Sequence, residues 1–146
     1  MDGVITNFDK GYEELTGRDI SNIFSNEPSF WEPINKAGYK FWINLEWRPD
    51  GKKLWSYIEK YNPIILSAPS RDDDSRIGKH DWIKRELPNS HLILRTAKNK
   101  KEFASPTSIL IDDRLPNIEE WRNAGGIGIH YTSTEDTIKQ LKKLGM

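Results

Sequence analysis

From Pro63 onward the chain alternates short apolar runs with stretches in which apolar residues recur every three or four positions. Ile64–Ser67, His91–Arg95, Ser108–Ile111 and Ile127–Tyr131 are rich in Ile and Leu and flanked by Pro, Gly, Asn or Asp, a pattern that predicts strands. Between and after them, Ile77–Leu87, Pro116–Ala124 and Thr134–Leu144 carry the helical period. End signals agree: Ser133 or Thr134 can cap the last helix ahead of Glu135 and Asp136, and Gly125-Gly126 supplies a left-handed stop after Ala124. From Asn7 to about Asn62 the chain is instead aromatic and turn-rich, with helix-like stretches at Asp9–Leu15, Asp19–Phe24 and Lys52–Tyr61. Strands that are apolar throughout and alternate with helices point to an α/β protein with a parallel sheet covered on both faces. In such sheets chemistry collects at the carboxyl ends of the strands, so the residues that follow each strand carry the functional information.

Length and composition narrow the picture. A chain of 146 residues without internal repeats supports one domain with one core. Lys and Arg total 22 against 22 Asp and Glu, so no overall field favours nucleic acid or an anionic membrane, and neither is expected as a partner. Apolar runs such as Pro63-Ile64-Ile65-Leu66 are far too short to span a bilayer, and no leader-like segment opens the chain; a cytoplasmic protein is the expectation. The absence of cysteine excludes disulfides, thiolate zinc sites and cysteine nucleophiles.

At the strand ends stand Asp112 and Asp113, directly after Ser108-Ile109-Leu110-Ile111. Adjacent carboxylates at the end of a buried strand repel each other and call for a cation, for which Mg²⁺ is suited because it accepts few carboxylates and keeps positions open for phosphate oxygens. A helix cap plus a solvated partner explains the same pair equally well. Ser67, backed by Ser70, offers a hydroxyl after Ile64-Ile65-Leu66, where a phosphate could sit. Lys98, Lys100 and Lys101 follow the next strand, where an ammonium could neutralise phosphate, although lysine clusters are more often solvated. Phe41 and Trp42 read either as core of a small subdomain or as a stacking wall, while Trp55, Trp82 and Trp121 fall on helical faces and read as core. His80, His91 and His130 share no ligand-like spacing, and Asp72-Asp73-Asp74 lacks the Gly and distant Glu of a calcium loop, which leaves a solvated loop.

Taken in order, these residues form a pattern. Asp2-Gly3-Val4-Ile5-Thr6-Asn7-Phe8, Phe41-Trp42-Ile43-Asn44-Leu45 with Pro49-Asp50-Gly51, Leu66-Ser67-Ala68-Pro69, Gly78-Lys79, Lys100 to Pro106 and Ile109 to Arg114 together resemble the haloacid dehalogenase-like phosphohydrolases. Within them they resemble the 5'(3')-deoxyribonucleotidase branch, across essentially the whole chain. The resemblance implies a three-layer Rossmann-like parallel sheet over residues 1–11 and 51–146, with a small helical cap inserted over about 12–50. It implies Asp2 as general acid and base with its carbonyl toward the metal, Asp112 and Asp113 holding Mg²⁺, Ser67 and Lys100 binding the phosphoryl group with Lys98 as the alternative, and Lys79 and Ser70 as further phosphate contacts. Phe8, Phe41 and Trp42 would wall the nucleobase.

The family's nucleophile lies two residues before the acid and base Asp, which here falls immediately ahead of Met1, together with the central strand that carries it. Losing that strand would leave its neighbours with unpaired backbone groups at about 1–3 kcal/mol for each buried one. The expectation is therefore a Mg²⁺-dependent nucleoside monophosphate phosphatase written without its nucleophile, inactive over these 146 residues. A misplaced start, a truncated relative that binds nucleotide without turnover, and an unrelated small binding module are the explanations weighed. A two-component receiver also uses paired Asp, Ser or Thr, and Lys, but its acidic pair comes early in the chain. The sequence leaves the oligomeric state open, a homodimer included.

Overall fold

The structure is a computed structural model that describes all 146 residues. Its elements run α1 (Phe8–Thr16), α2 (Pro28–Ala37), α3 (Tyr39–Ile43), α4 (Gly51–Ile58), β1 (Ile64–Ser67), α5 (Asp73–Glu86), β2 (His91–Leu94), β3 (Ile109–Asp112), α6 (Leu115–Asn123), β4 (Ile127–His130) and α7 (Thr134–Lys143), with 3-10 turns at Ile20–Asn22, Glu59–Tyr61 and Ala97–Phe103. All four expected strands form, each within a residue of its expected limits. The expected Asp19–Phe24 helix shrinks to the 3-10 turn at Ile20–Asn22, which Asp19 caps by accepting a hydrogen bond from the Ser21 amide. Pro28 and Pro33 hide α2 from a periodicity reading: the first fits an opening helical turn, while the second removes an amide from the helix interior.

The Asp72-Asp73-Asp74 run is not a solvated loop. Asp72 caps α5 by accepting the Asp74 amide at 3.0 Å, and Asp73 and Asp74 occupy the first turn, where the helix dipole favours negative charge. At the chain's other end Ser133, rather than Thr134, caps α7 through the Asp136 amide.

The fold is mixed α/β, and both of its strand pairs are parallel. Ile64–Ser67 pairs in register with His91–Leu94, and Ile109–Asp112 pairs with Ile127–His130. The two pairs are separate sheets. Between them runs an apolar slot of about 110 Å³, walled by Ile64, Ile65 and Leu66 of β1, by Ile109, Leu110 and Ile111 of β3, and by Leu54, Trp55 and Ile58 of α4, with Met1 also in its lining. No helix is long and apolar enough to cross a membrane.

Two packed clusters flank this arrangement. Val4, Ile5, Leu54, Ile65, Trp82, Ile83, Leu87 and Tyr131 form one beneath the strands, and Tyr12, Phe30, Ile34, Phe41, Trp42 and Leu45 form the other among α1, α2 and α3. The seam between them is close at Gly78 on α5, where any side chain would overlap Trp42. Trp82 spans the same seam: it is fully buried in the strand cluster, and its indole N–H donates to the Leu45 carbonyl at 2.8 Å.

Candidate functional site

Two strand carboxyl ends and the turn near the start of the chain converge on one place. The turn after β1 brings Ser67 to Ser70, the turn after β3 brings Asp112 to Arg114, and the Asp2-Gly3 turn lies across them. Gly3 has φ +78, and a methyl there would collide with the Asp113 carboxylate, so the residue's lack of a side chain lets the two segments meet. Together they floor a cavity of about 790 Å³, a volume in the range of small-molecule sites.

Two buried lysines organise the floor. Lys79, reaching in from α5, is 1 % exposed, and its ammonium donates to Asp2 Oδ2 at 2.6 Å, to Ser67 Oγ at 2.9 Å and to the Ala68 carbonyl at 2.8 Å. All three of its protons are thereby used, which is how a lysine tolerates full burial. Because Ser67 Oγ accepts from Lys79, its own O–H is left to donate. Asp2 is held on its other oxygen by the Thr6 hydroxyl at 2.7 Å. Burial by itself would raise the Asp2 carboxyl; the Lys79 charge and the hydrogen bonds from Lys79 and Thr6 outweigh it and hold Asp2 below the usual carboxylate range.

Lys100, from the 3-10 turn after β2, makes the second pair, donating to Asp112 Oδ2 at 2.9 Å. The Asn117 amide donates to the same oxygen at 3.1 Å, and the Arg114 backbone N–H donates to Oδ1 at 2.9 Å. Against the opposing pull of burial, Lys100 and these bonds hold the Asp112 carboxyl below its usual range. Asp112 thus does part of what the helix-cap reading expected, since it receives the Arg114 amide just ahead of α6. Lys98 is exposed while Lys100 is buried, so only Lys100 of the two joins the floor.

Asp113 differs from both. It opens onto the cavity without a cationic partner, although His130 Nε2 lies 2.9 Å from its carbonyl oxygen. Loss of water at the concave floor, and next the repulsion of Asp112, push its carboxyl up to about 6. Such a carboxylate invites a cation. No group of three or more Asp, Glu or His gathers as a ligand cage, and Asp2 and Asp112 already hold ammonium partners. A divalent ion that keeps most of its shell as water fits this donor set; one that demands a full protein cage does not.

Above the floor, Phe8, Phe30, Trp31 and Trp42 make an aromatic side wall. Phe8 and Trp42 lie there as anticipated. Phe41 does not reach the cavity: it is buried behind Phe8, in edge contact at 5.5 Å between ring centres. Lys79 likewise sits beneath the cavity surface, its charge spent on Asp2, Ser67 and Ala68. Ser70 lines the rim, its hydroxyl accepting the Asp72 amide at 3.3 Å.

Several contributors had weaker sequence signals. Thr6 and Asn117 have the spacing of ordinary turn and helix residues, and only the short interval from Asp112 to Asn117, one helical turn after a strand, could have marked the latter. Phe30 and Trp31 belong to the helix that the prolines concealed.

The fold and site define a class: a mixed α/β protein with parallel strands whose carboxylates and lysines meet at strand carboxyl ends beneath an aromatic wall. Comparison with known proteins gives no match to any family model, curated protein or solved structure.

Proposed function

We propose that the chain is the greater part of a Mg²⁺-dependent phosphomonoester hydrolase acting on nucleoside monophosphates, of the haloacid dehalogenase-like type. The observation that carries the reading is the meeting of Asp2, Ser67, Lys100, Asp112 and Asp113, from four separate segments, on the floor of one cavity with an aromatic side wall. Ser67 donates its free hydroxyl proton to a phosphate oxygen, and Lys100 lies beside Asp112, where it offsets phosphate charge. Asp2, kept ionised by Lys79 and Thr6, enters as the base. Asp113 with Asp112 would hold Mg²⁺, which supplies charge neutralisation at the phosphate. Phe8 and Trp42 give a base a π-surface that tolerates any base identity.

The attacking carboxylate belongs, in this proposal, to an apolar strand that runs into Met1 and completes a single parallel sheet in three layers. The slot between β1 and β3 supports it, being apolar on both walls and sharing Met1 with the lining of the larger cavity. Phosphate release from deoxynucleoside monophosphates, with and without Mg²⁺, tests the reading on this chain and on one extended ahead of Met1 by an apolar strand ending in Asp. Turnover by the extended form alone is expected. Turnover by the 146 residues themselves would place the attacking group within them, and none by either form would sink the enzyme reading.

One observation favours a second reading, in which these residues bind nucleotide without turning it over. Of the three carboxylates on the floor, Asp2 and Asp112 are tied to lysines and only Asp113 is unpaired. Binding measured by calorimetry without hydrolysis by the extended form would select it.

A further inference from the structure

The charges around the cavity do not pair off. Lys79 is committed to Asp2 and Lys100 to Asp112, so the two ammoniums of the floor already have partners before any ligand arrives. Two arginines on the rim have none. Arg71 follows Ser70 in the turn after β1, and Arg114 follows Asp113 in the turn after β3; both line the cavity, both are exposed, and neither guanidinium makes an ion pair or hydrogen bond within the protein.

Elsewhere the arginine side chains mostly have evident structural work. Arg85 donates to the Ile43 carbonyl, Arg95 to the Leu94 carbonyl while covering Phe103, Arg122 to the Gly128 carbonyl, and Arg48 lies over the Tyr131 ring. Arg71 has acidic neighbours in sequence, but Asp72 is occupied as the cap of α5 and no carboxylate comes within ion-pair distance of the guanidinium. Arg114 contributes only its backbone N–H to Asp112. Two guanidiniums held free on one rim suit recognition of a multiply anionic group, since each is a planar fork of donors that can bind two phosphate oxygens at once.

We propose that Arg71 and Arg114 form a subsite for a second phosphate, so that the preferred ligand is a nucleotide with two phosphate groups, the first over Ser67 and Lys100 and the second at the rim. This inference rests on the nucleotide reading above and goes beyond it, adding a second phosphate to the monophosphate that reading requires. The cavity has room for it, about 790 Å³ against the few hundred that a small ligand fills. Two sources share this chemistry, a nucleoside 3',5'-bisphosphate and a nucleoside 5'-diphosphate, and they place the second phosphate at different distances from the first.

Calorimetric titration of the 146-residue chain at low salt with deoxynucleoside 5'-monophosphate, 3',5'-bisphosphate and 5'-diphosphate tests it. At least one of the doubly phosphorylated ligands is expected to bind about tenfold tighter than the monophosphate, a difference of about 1.4 kcal/mol. The one that does identifies the source, and the preference should shrink as salt screens the exposed guanidiniums. In Arg71→Gln and Arg114→Gln, checked for folding by circular dichroism, the ratio should fall toward one. Equal affinity for all three ligands, or a preference that survives both substitutions, overturns the second-phosphate subsite and leaves the nucleotide reading standing. Failure of every nucleotide to bind overturns both.

Discussion

The aromatic helices of residues 8–43 and the strand-bearing remainder are held together by different physics. Around Tyr12 the packing is ring on ring: Tyr12 and Phe30 stack at 4.5 Å, Phe41 meets Trp42 edge-on at 5.0 Å, and Phe8 packs against five other rings. Beneath the strands the buried side chains are mostly aliphatic, with Trp82 and Tyr131 among them and Trp47 tilted against Trp82 at 5.2 Å, and two lysine–carboxylate pairs lie at the strand ends. Aromatic pairs prefer particular offsets and angles, whereas aliphatic side chains pack with less directional demand. The first region therefore owes its shape to a few specific ring contacts, and the second to burial plus charge pairing.

Substitutions at the seam break this contrast most sharply. Trp82→Ala removes the largest fully buried side chain and its bond to Leu45, and is expected to cost about 3–5 kcal/mol. Because Trp82 belongs to one cluster and bonds to the other, amide exchange should rise in both. Phe30→Ala, with a comparable loss of packing, should raise exchange in α1 to α3 and spare the strands; an equal rise in β1 and β3 would show that the two regions unfold as one. Gly78→Ala drives a methyl into Trp42 and should cost about 1–3 kcal/mol in chemical denaturation, with no new cavity to relieve it.

The smallest effect is a dependence on pH. Asp113 titrates near 6 in the folded chain, above its unfolded value, so the folded state retains a proton that the unfolded chain has already lost. Stability through this group is therefore highest below the ordinary carboxylate range and falls as pH rises toward 6. Asp2 and Asp112 are held low and act in the opposite sense: their contribution is present above the ordinary range and is lost as acid protonates them. Melting temperatures of Asp113→Asn against the parent should converge at low pH and favour the variant near neutrality. A variant curve parallel to the parent's across the whole range would show that Asp113 is not strained.

How much of this was legible depends on which residues face inward. The four strands were readable because Ile and Leu at consecutive positions leave little choice of element, and Ser67, Asp112 and Asp113 drew attention because they stand at strand ends. α5 was readable only in part. Its buried positions, Ser75, Gly78, Lys79, Trp82 and Ile83, keep helical spacing, but a serine, a glycine and a lysine in an inward face do not look apolar. The expected start at Ile77 followed from that, since Ile77 is in fact exposed. The division into two small sheets was illegible for another reason: each strand has the composition of a sheet interior, and sequence does not say which edges find a partner.

Lys79 and Lys100 also carry a signature independent of any ligand. Amine reagents attack the free, deprotonated form of accessible lysines, and these two are buried and committed while Lys98 and Lys101, in the same turn as Lys100, lie open. A brief labelling pulse read by mass spectrometry would mark the neighbours and leave the pair untouched. Any condition that opens the site, whether a ligand competing for the carboxylates or a loosening of α5, would appear as two newly labelled positions. The ion pairs thus make the floor of the cavity its own gauge of whether it is closed.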